Sequence, residues 1–116
     1  MVIPMPDRQA SAVLILSTAS THDEASRIAA TLVEERLAAC VQLSPIESWY
    51  RWEGKVEHAP ETRLHIKTTA ERADQVRDRI RALHSYDVPE IVILPLAGGS
   101  PDYLDWVADA VRSETG

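Results

Sequence analysis

The side chains best suited to bind a metal ion are His84 and Glu90, which follow a predicted helix. An imidazole nitrogen and a carboxylate oxygen are both ligands that divalent transition metals accept in proteins. A histidine at the end of a helix also has a structural use, because its ring can hydrogen-bond the last carbonyl groups and complement the helix dipole. The sequence leaves both roles open.

Cys40 and Lys67 are two further candidates for chemistry. Cys40 has no basic neighbour in the sequence that would favour a reactive thiolate, so we expect it to pack as a small hydrophobic residue. Lys67 alternates with Leu64 and Ile66 along a predicted strand and therefore points away from them. It is either a cation for an anionic ligand or the partner of a nearby carboxylate.

Catalytic motifs with a known mechanism do not occur in the sequence. It has no Gly-rich phosphate loop after a strand, no Cys-x-x-Cys and no His-Glu-x-x-His. We therefore predict a protein that is not an enzyme. The alternative is an enzyme that transfers protons with residues gathered across a subunit boundary, namely Lys67, His84, Glu90 and Tyr103.

Composition excludes several classes of protein. The 116 residues include 18 acidic and 12 basic side chains, for a net charge of −6 without a basic block, which argues against nucleic-acid binding. No apolar stretch approaches the roughly 20 residues of a membrane span. Residues 1–10 do not resemble a secretory signal and are predicted to be a flexible tail before a single domain of residues 11–116. With one cysteine and no export signal, we expect a cytoplasmic protein.

The hydrophobic pattern predicts the order βαββαβ with an additional C-terminal helix. Thr21 and Glu24 have the spacing of a capping box, which begins the first helix. Glu53-Gly54-Lys55 supplies a tight turn, and Pro45 suggests a bulge or an edge strand. The predicted elements are strand 12–18, helix 22–38, strand 41–53, strand 62–68, helix 70–83, strand 91–96 and a last helix carrying Tyr103 and Val107. Two βαβ units in this order give an α+β, ferredoxin-like sandwich.

The lengths of these elements predict an oligomer. The first helix would span about 26 Å and the second strand about 43 Å before any bulge, so the hairpin extends beyond the helices that cover it. Trp49, Tyr50 and Trp52 lie in this overhang. Burial of such aromatic side chains is worth about 1.5–3 kcal/mol each, and a second copy of the chain is the obvious cover. The apolar first and fourth strands indicate that the sheet face opposite the helices is covered as well.

Five segments together resemble the CutA family of divalent-cation tolerance proteins. They occur in order and at family-like spacing, over roughly residues 12–112: Val33-Glu34-Glu35-Arg36-Leu37-Ala38-Ala39-Cys40-Val41, Tyr50-Arg51-Trp52-Glu53-Gly54-Lys55, Ile66-Lys67-Thr68, His84-Ser85-Tyr86-Asp87-Val88-Pro89-Glu90 and Pro101-Asp102-Tyr103-Leu104-Asp105-Trp106. The resemblance implies a PII-like homotrimer with strand edges paired between subunits and a role in tolerance of copper or another divalent cation. It also implies an intersubunit cleft for a ligand or metal ion, formed by Lys67, His84, Tyr86, Glu90 and Tyr103.

Two departures from the family pattern concern copper. Some members carry a cysteine at the end of the first strand and two adjacent histidines before the proline-tyrosine step. This chain has Ser17 at the first position, Leu83-His84 at the second and Ser85 in place of the proline. A hydroxyl is a much weaker ligand than a thiolate for soft ions, so only His84 matches the copper residues of those members.

Overall fold

The structure is a computed structural model that describes residues 11–112. The predicted tail of residues 1–10 lies outside the described residues. One sheet of four antiparallel strands, in the order β2-β3-β1-β4, supports three helices. The elements are β1 (Ala12–Ala19), α1 (His22–Glu34), β2 (Cys40–Trp52), β3 (Lys55–Thr69), α2 (Ala73–Leu83), β4 (Ile91–Pro95) and α3 (Pro101–Ala110). The predicted ferredoxin-like α+β class is confirmed.

One face of the sheet forms the main core with α1 and α2. Ile15 and Ile66 are directly paired on the central strands and are fully buried, together with Leu64. Ile28 of α1 and Ile80 of α2 close over them. These apolar positions recur every second residue in the strands and every three to four residues in the helices, which is why sequence periodicity predicts this layer.

The opposite face of the sheet, called here the open face, is only partly covered. Leu14, Leu16 and Lys67 belong to it, because they alternate with the buried residues of the same strands. α3 packs on β3 and β1 and buries its Val107. On the edge strand β4, Val92 and Leu94 remain about 40% exposed or more. Within one subunit, the expected cover of this face is therefore incomplete.

α1 ends earlier than the sequence predicts. The helix stops at Glu34 rather than Ala38, and Arg36 has a positive φ of 59°. The backbone N–H groups of Leu37 and Ala38 both donate to the Leu32 carbonyl, which closes the last turn. The apolar pattern continues through Leu37, and for this reason periodicity alone extends the helix too far.

The hairpin of β2 and β3 is longer and more regular than predicted. The two strands pair without interruption from Cys40↔Lys67 to Trp52↔Lys55, so the expected bulge at Pro45 is wrong and its edge position is right. β3 begins at Lys55, directly after the turn, rather than at Thr62. Glu53 and Gly54 both have positive φ, as a two-residue hairpin turn requires.

The outer part of this hairpin, residues 46–61, is called here the ribbon. Its three large aromatic residues are exposed: Trp49 by 65%, Tyr50 by 44% and Trp52 by 56%. The Trp49 ring stacks on His58 of the facing strand with a centroid separation of 3.8 Å, and His58 also contacts the Glu47 carboxylate at 3.1 Å. The predicted overhang of strand and aromatic surface is thus present.

None of the helices within residues 11–112 is long and apolar enough to cross a lipid bilayer.

Candidate functional site

The candidate residues lie on or beside the open face, along a row of basic side chains on β3. Arg63, His65 and Lys67 alternate with the buried residues of that strand and share the open face. The candidates do not form one site within the subunit. They separate into two groups near opposite ends of this row, which lie about 13 Å apart as measured along the strand from residue 63 to residue 67.

The first group, called here the lysine cluster, consists of Lys67, Gln42, Cys40, Leu14 and Tyr103. The Lys67 ammonium donates a hydrogen bond of 2.9 Å to the Gln42 side-chain oxygen and lies 5.6 Å from the centre of the Tyr103 ring. Cys40 and Leu14 pair directly with Lys67 on the two neighbouring strands. Lys67 and Tyr103, predicted to share a cleft, are therefore neighbours.

Cys40 has a basic neighbour that the sequence order conceals. It is partly buried and directly opposite Lys67, at the start of the edge strand. This pairing could have been derived from the sequence. A two-residue turn at Glu53-Gly54 fixes the register of β2 against β3, and counting back from the turn pairs residue 40 with residue 67. The turn predicted from the sequence includes Lys55 as well, which shifts the register by one residue and no longer places Cys40 opposite Lys67.

The second group, called here the loop cluster, surrounds the segment that follows α2. It consists of His84, Tyr86, Glu90, Glu24, Glu61 and Arg63. The His84 side chain is completely buried. Its Nε2 donates to the Thr18 carbonyl oxygen at 2.6 Å, and its Nδ1 accepts the backbone N–H of Tyr86 at 3.0 Å. These two bonds assign the neutral Nε2–H tautomer and fix the ring between β1 and the loop.

Glu24 of α1 holds the same loop from the other side. Its buried carboxylate accepts the Ser85 backbone N–H at 2.8 Å and the Ser20 hydroxyl at 3.3 Å. Burial by itself would raise the pKa of Glu24, but the hydrogen bonds from Ser85 and Ser20 lower it below its ordinary value. The predicted capping box is half formed, since Thr21 accepts the Glu24 N–H while the Glu24 side chain turns to the loop.

Tyr86 and Glu90 each have a partner on β3. The Tyr86 hydroxyl donates to the Glu61 carboxylate at 2.9 Å. Burial, together with the hydrogen bond to Glu61 and its negative charge, raises the pKa of Tyr86 to about 12. Glu90 forms an ion pair with Arg63. The loop cluster is therefore a network in which each candidate side chain is already paired.

Residues 11–112 of one subunit do not form a metal site. Both nitrogens of His84 are used in hydrogen bonds, so no lone pair is available for a metal ion. Glu90 is occupied by Arg63, and the buried hydroxyl of Ser17 has no hydrogen-bond partner. Within residues 11–112, no three His, Cys, Asp or Glu side chains come close enough together to hold a metal ion. The described residues of one chain therefore do not fit a copper centre.

The fold and these clusters define a class of protein: a ferredoxin-like sandwich with a long projecting ribbon and polar clusters on an open sheet face. The model of the CutA1 divalent ion tolerance protein family matches residues 13–110. The chain belongs to this family, and the predicted membership is confirmed.

Known relatives and solved structures are similar to this chain over most of its length. The divalent-cation tolerance protein CutA of Thermus thermophilus is 46% identical over 97 residues, which is 83% of this chain and 94% of that protein. CutA of Pectobacterium atrosepticum is 42% identical over 110 residues, or 93% of this chain and all of that protein. The structure of CutA from Xylella fastidiosa superposes with a TM-score of 0.86 at 40% identity and covers 88% of this chain and 99% of that one.

The relatives come from different compartments. A solved structure from Archaeoglobus fulgidus, with a TM-score of 0.86 and 42% identity over 87% of this chain and 99% of that chain, is described as a periplasmic divalent cation tolerance protein. The Arabidopsis thaliana relative is described as chloroplastic, and this chain spans 56% of its length at 39% identity. Membership of the family therefore does not decide the compartment of this chain.

Proposed function

We propose that the protein acts as a cytoplasmic homotrimer in the tolerance of divalent metal ions, copper among them, without catalysing a reaction. The observation that carries this proposal is the exposed ribbon. Trp49, Tyr50 and Trp52 present aromatic surface far from the helical layer, and a monomer would leave this surface in water. Aromatic residues of this kind are enriched at protein interfaces and supply much of their binding energy.

The two free edges of the sheet support a closed ring. β2 and β4 each have only one neighbour in the described sheet. An exposed strand edge carries unpaired backbone groups that can bond to another strand. When β2 of one subunit meets β4 of the next, the contact is heterologous, and a ring closes if the rotation allows it. The resemblance to PII-like proteins makes three the expected number.

The proposed role in metal tolerance rests on family membership. The proposed position of the ligand rests on which metal-binding side chains the described residues bring together. Because the described part of one subunit offers no set of three metal-binding side chains, we place any ligand in the clefts formed between subunits. We expect such a cleft to be lined by residues of the two clusters, namely Lys67, His84, Tyr86, Glu90 and Tyr103. The enzyme alternative would have to gather its residues across a subunit boundary, since within one subunit Lys67 and Tyr103 lie at one end of the row on β3 and His84 and Glu90 at the other. The presence of a single cysteine, Cys40, supports the cytoplasm.

The oligomeric state is tested by replacing the ribbon aromatics. Native mass spectrometry of the wild-type chain is expected to give a species three times the chain mass of 12.9 kDa. The double substitution Trp49→Ser and Trp52→Ser is expected to shift this species towards monomers. Val33→Ser is the matched control, because Val33 is also exposed, by 43%, but lies on α1. A wild-type chain that stays monomeric at micromolar concentration contradicts the proposal.

The role in tolerance is tested in cells that lack the gene for this chain. Growth in graded Cu(II) and Zn(II) should become more sensitive, and the wild-type chain should restore it while the ribbon double variant, produced at equal level, should not. Unchanged growth of the deleted cells across both metals would remove the proposed role but leave the trimer unaffected.

A further inference from the structure

Lys67 is a partly buried cation whose contacts are electrically neutral. Its ammonium bonds to the amide oxygen of Gln42 and lies over the face of Tyr103, and it forms no ion pair with any carboxylate among residues 11–112. An ammonium has three N–H donors, and Gln42 takes one of them. Two donors and the whole positive charge are left without a counter-ion from the described chain.

The other cation of the same row shows the contrast. Arg63 lies on the same strand and the same face, and it is paired with Glu90. The chain as a whole is acidic, with 18 acidic side chains against 12 basic ones, so carboxylates are abundant. Lys67 is thus a partly buried cation that, unlike Arg63, has no carboxylate partner among residues 11–112, and the missing negative charge can come from outside the subunit.

The surroundings of Lys67 strengthen its attraction for an anion. Leu14 and Cys40 flank it on the neighbouring strands, and Tyr103 covers it from α3. Such neighbours lower the local dielectric constant, so a charge pair formed there is stronger than one in water. The Tyr103 ring also contacts Trp106, with centroids 5.6 Å apart, and both are partly exposed. This aromatic pair offers a flat apolar surface beside the charge.

We propose that the lysine cluster binds a small anion, with a carboxylate or phosphate group on the Lys67 ammonium and the Tyr103–Trp106 pair beside it. Lys67 supplies the charge and two N–H donors, and Gln42 holds the side chain in place. This inference rests on the proposed function, because it names the class of ligand that the lysine cluster would bind in the proposed cleft. The loop cluster takes no part, because its groups are already paired.

The test compares two probes, inorganic phosphate and malonate, against chloride at matched ionic strength. Binding to the full-length chain is followed by isothermal titration calorimetry and by tryptophan fluorescence, since Trp106 lies next to the site. We expect saturable binding of at least one probe, weakened about tenfold or more in Lys67→Met and largely retained in Lys67→Arg. Lys55→Met is the matched control, because Lys55 is the only other lysine and lies at the ribbon turn.

The two probes and the variants separate the outcomes. Binding of phosphate alone assigns a phosphate ligand, and binding of malonate alone assigns a carboxylate. A heat or fluorescence change that persists in Lys67→Met does not depend on this lysine and overturns the inference, as does the absence of saturable binding by either probe. Native mass spectra of the same samples report the oligomeric state, so a failure of anion binding is distinguished from a failure of the proposed trimer.

Discussion

The lysine cluster lies on the open face and the loop cluster lies near the opposite end of the same row of basic residues, and the two clusters differ in how their charges are balanced. In the loop cluster the Arg63 charge meets Glu90, the Tyr86 hydroxyl meets Glu61, and both His84 nitrogens are bonded. In the lysine cluster a full charge meets an amide oxygen and an aromatic ring. A closed network of this kind stabilises the fold, whereas an unbalanced charge is available to a ligand.

This difference changes the interpretation of the candidate residues. His84 and Glu90 attract attention as metal ligands because of their side-chain type. In the structure His84 joins the end of β1 to the loop after α2, and Glu90 neutralises Arg63. Residue type alone therefore predicts a ligand site in the loop cluster, although the side chains of that cluster already have hydrogen-bond or ion-pair partners. The balance of partners, which only the fold shows, points to Lys67.

The largest expected effect comes from removing His84. His84→Ala leaves the Thr18 carbonyl and the Tyr86 N–H without partners and opens a cavity, so we expect about 3 kcal/mol of lost unfolding free energy. Gln42→Ala in the lysine cluster removes an exposed acceptor and should cost less than about 0.5 kcal/mol. Urea denaturation at fixed protein concentration measures both. Equal losses would abolish the distinction between the clusters.

A second effect concerns acid stability. The pKa of Glu24 is lowered in the folded chain, so its contribution to stability is complete above the ordinary carboxyl value near 4.5 and is lost as the pH falls below that value. Melting temperatures recorded from pH 7 down to pH 3 should fall less steeply for Glu24→Gln than for the wild type. Glu47→Gln on the ribbon, where the carboxylate is exposed, is the control. An unchanged acid slope in Glu24→Gln would show that the loop is not held by this charge.

Within the loop cluster, the smallest effect is expected at Tyr86. Its raised pKa means that the folded state favours the neutral phenol, so this stabilisation is present below about pH 10 and is lost as the pH rises towards 12. Tyr86→Phe removes the bond to Glu61 and should cost about 0.5–1.5 kcal/mol at pH 7. Ultraviolet titration of phenolate should lose a component near pH 12 in this variant. A component that titrates near 10 in the wild type and disappears in Tyr86→Phe would argue against the paired arrangement.

The regular elements were predictable because each has a local signal. The alternation of Leu64 and Ile66 and the spacing of Ile28 and Leu32 define which sides are buried before any partner is known. The errors occur at the ends of elements, where the local sequence pattern is compatible with two different boundaries. Leu37 continues the apolar pattern of α1 although Arg36 has already left the helix, and Lys55 belongs to a strand although it follows a glycine turn.

The candidate site was predictable only in part. The family resemblance implied Lys67, Tyr86, Glu90 and Tyr103, and the structure places all four on or beside the open face. Glu24, Glu61 and Gln42 were missed as members of the clusters, because their partners are 25 to 61 residues away in the chain. The capping spacing of Glu24 gave a sufficient local explanation and concealed its bond to Ser85.

The amino-acid sequence by itself determined the class of fold, the long hairpin with its aromatic residues and the family, because periodicity, turn chemistry and ordered motifs are properties of neighbouring residues. The tertiary structure decided which charged side chains are neutralised and which are not. That property depends on strand register and on contacts between distant segments, such as Glu90 with Arg63 and Cys40 opposite Lys67, and one residue of register exchanges the faces of a strand.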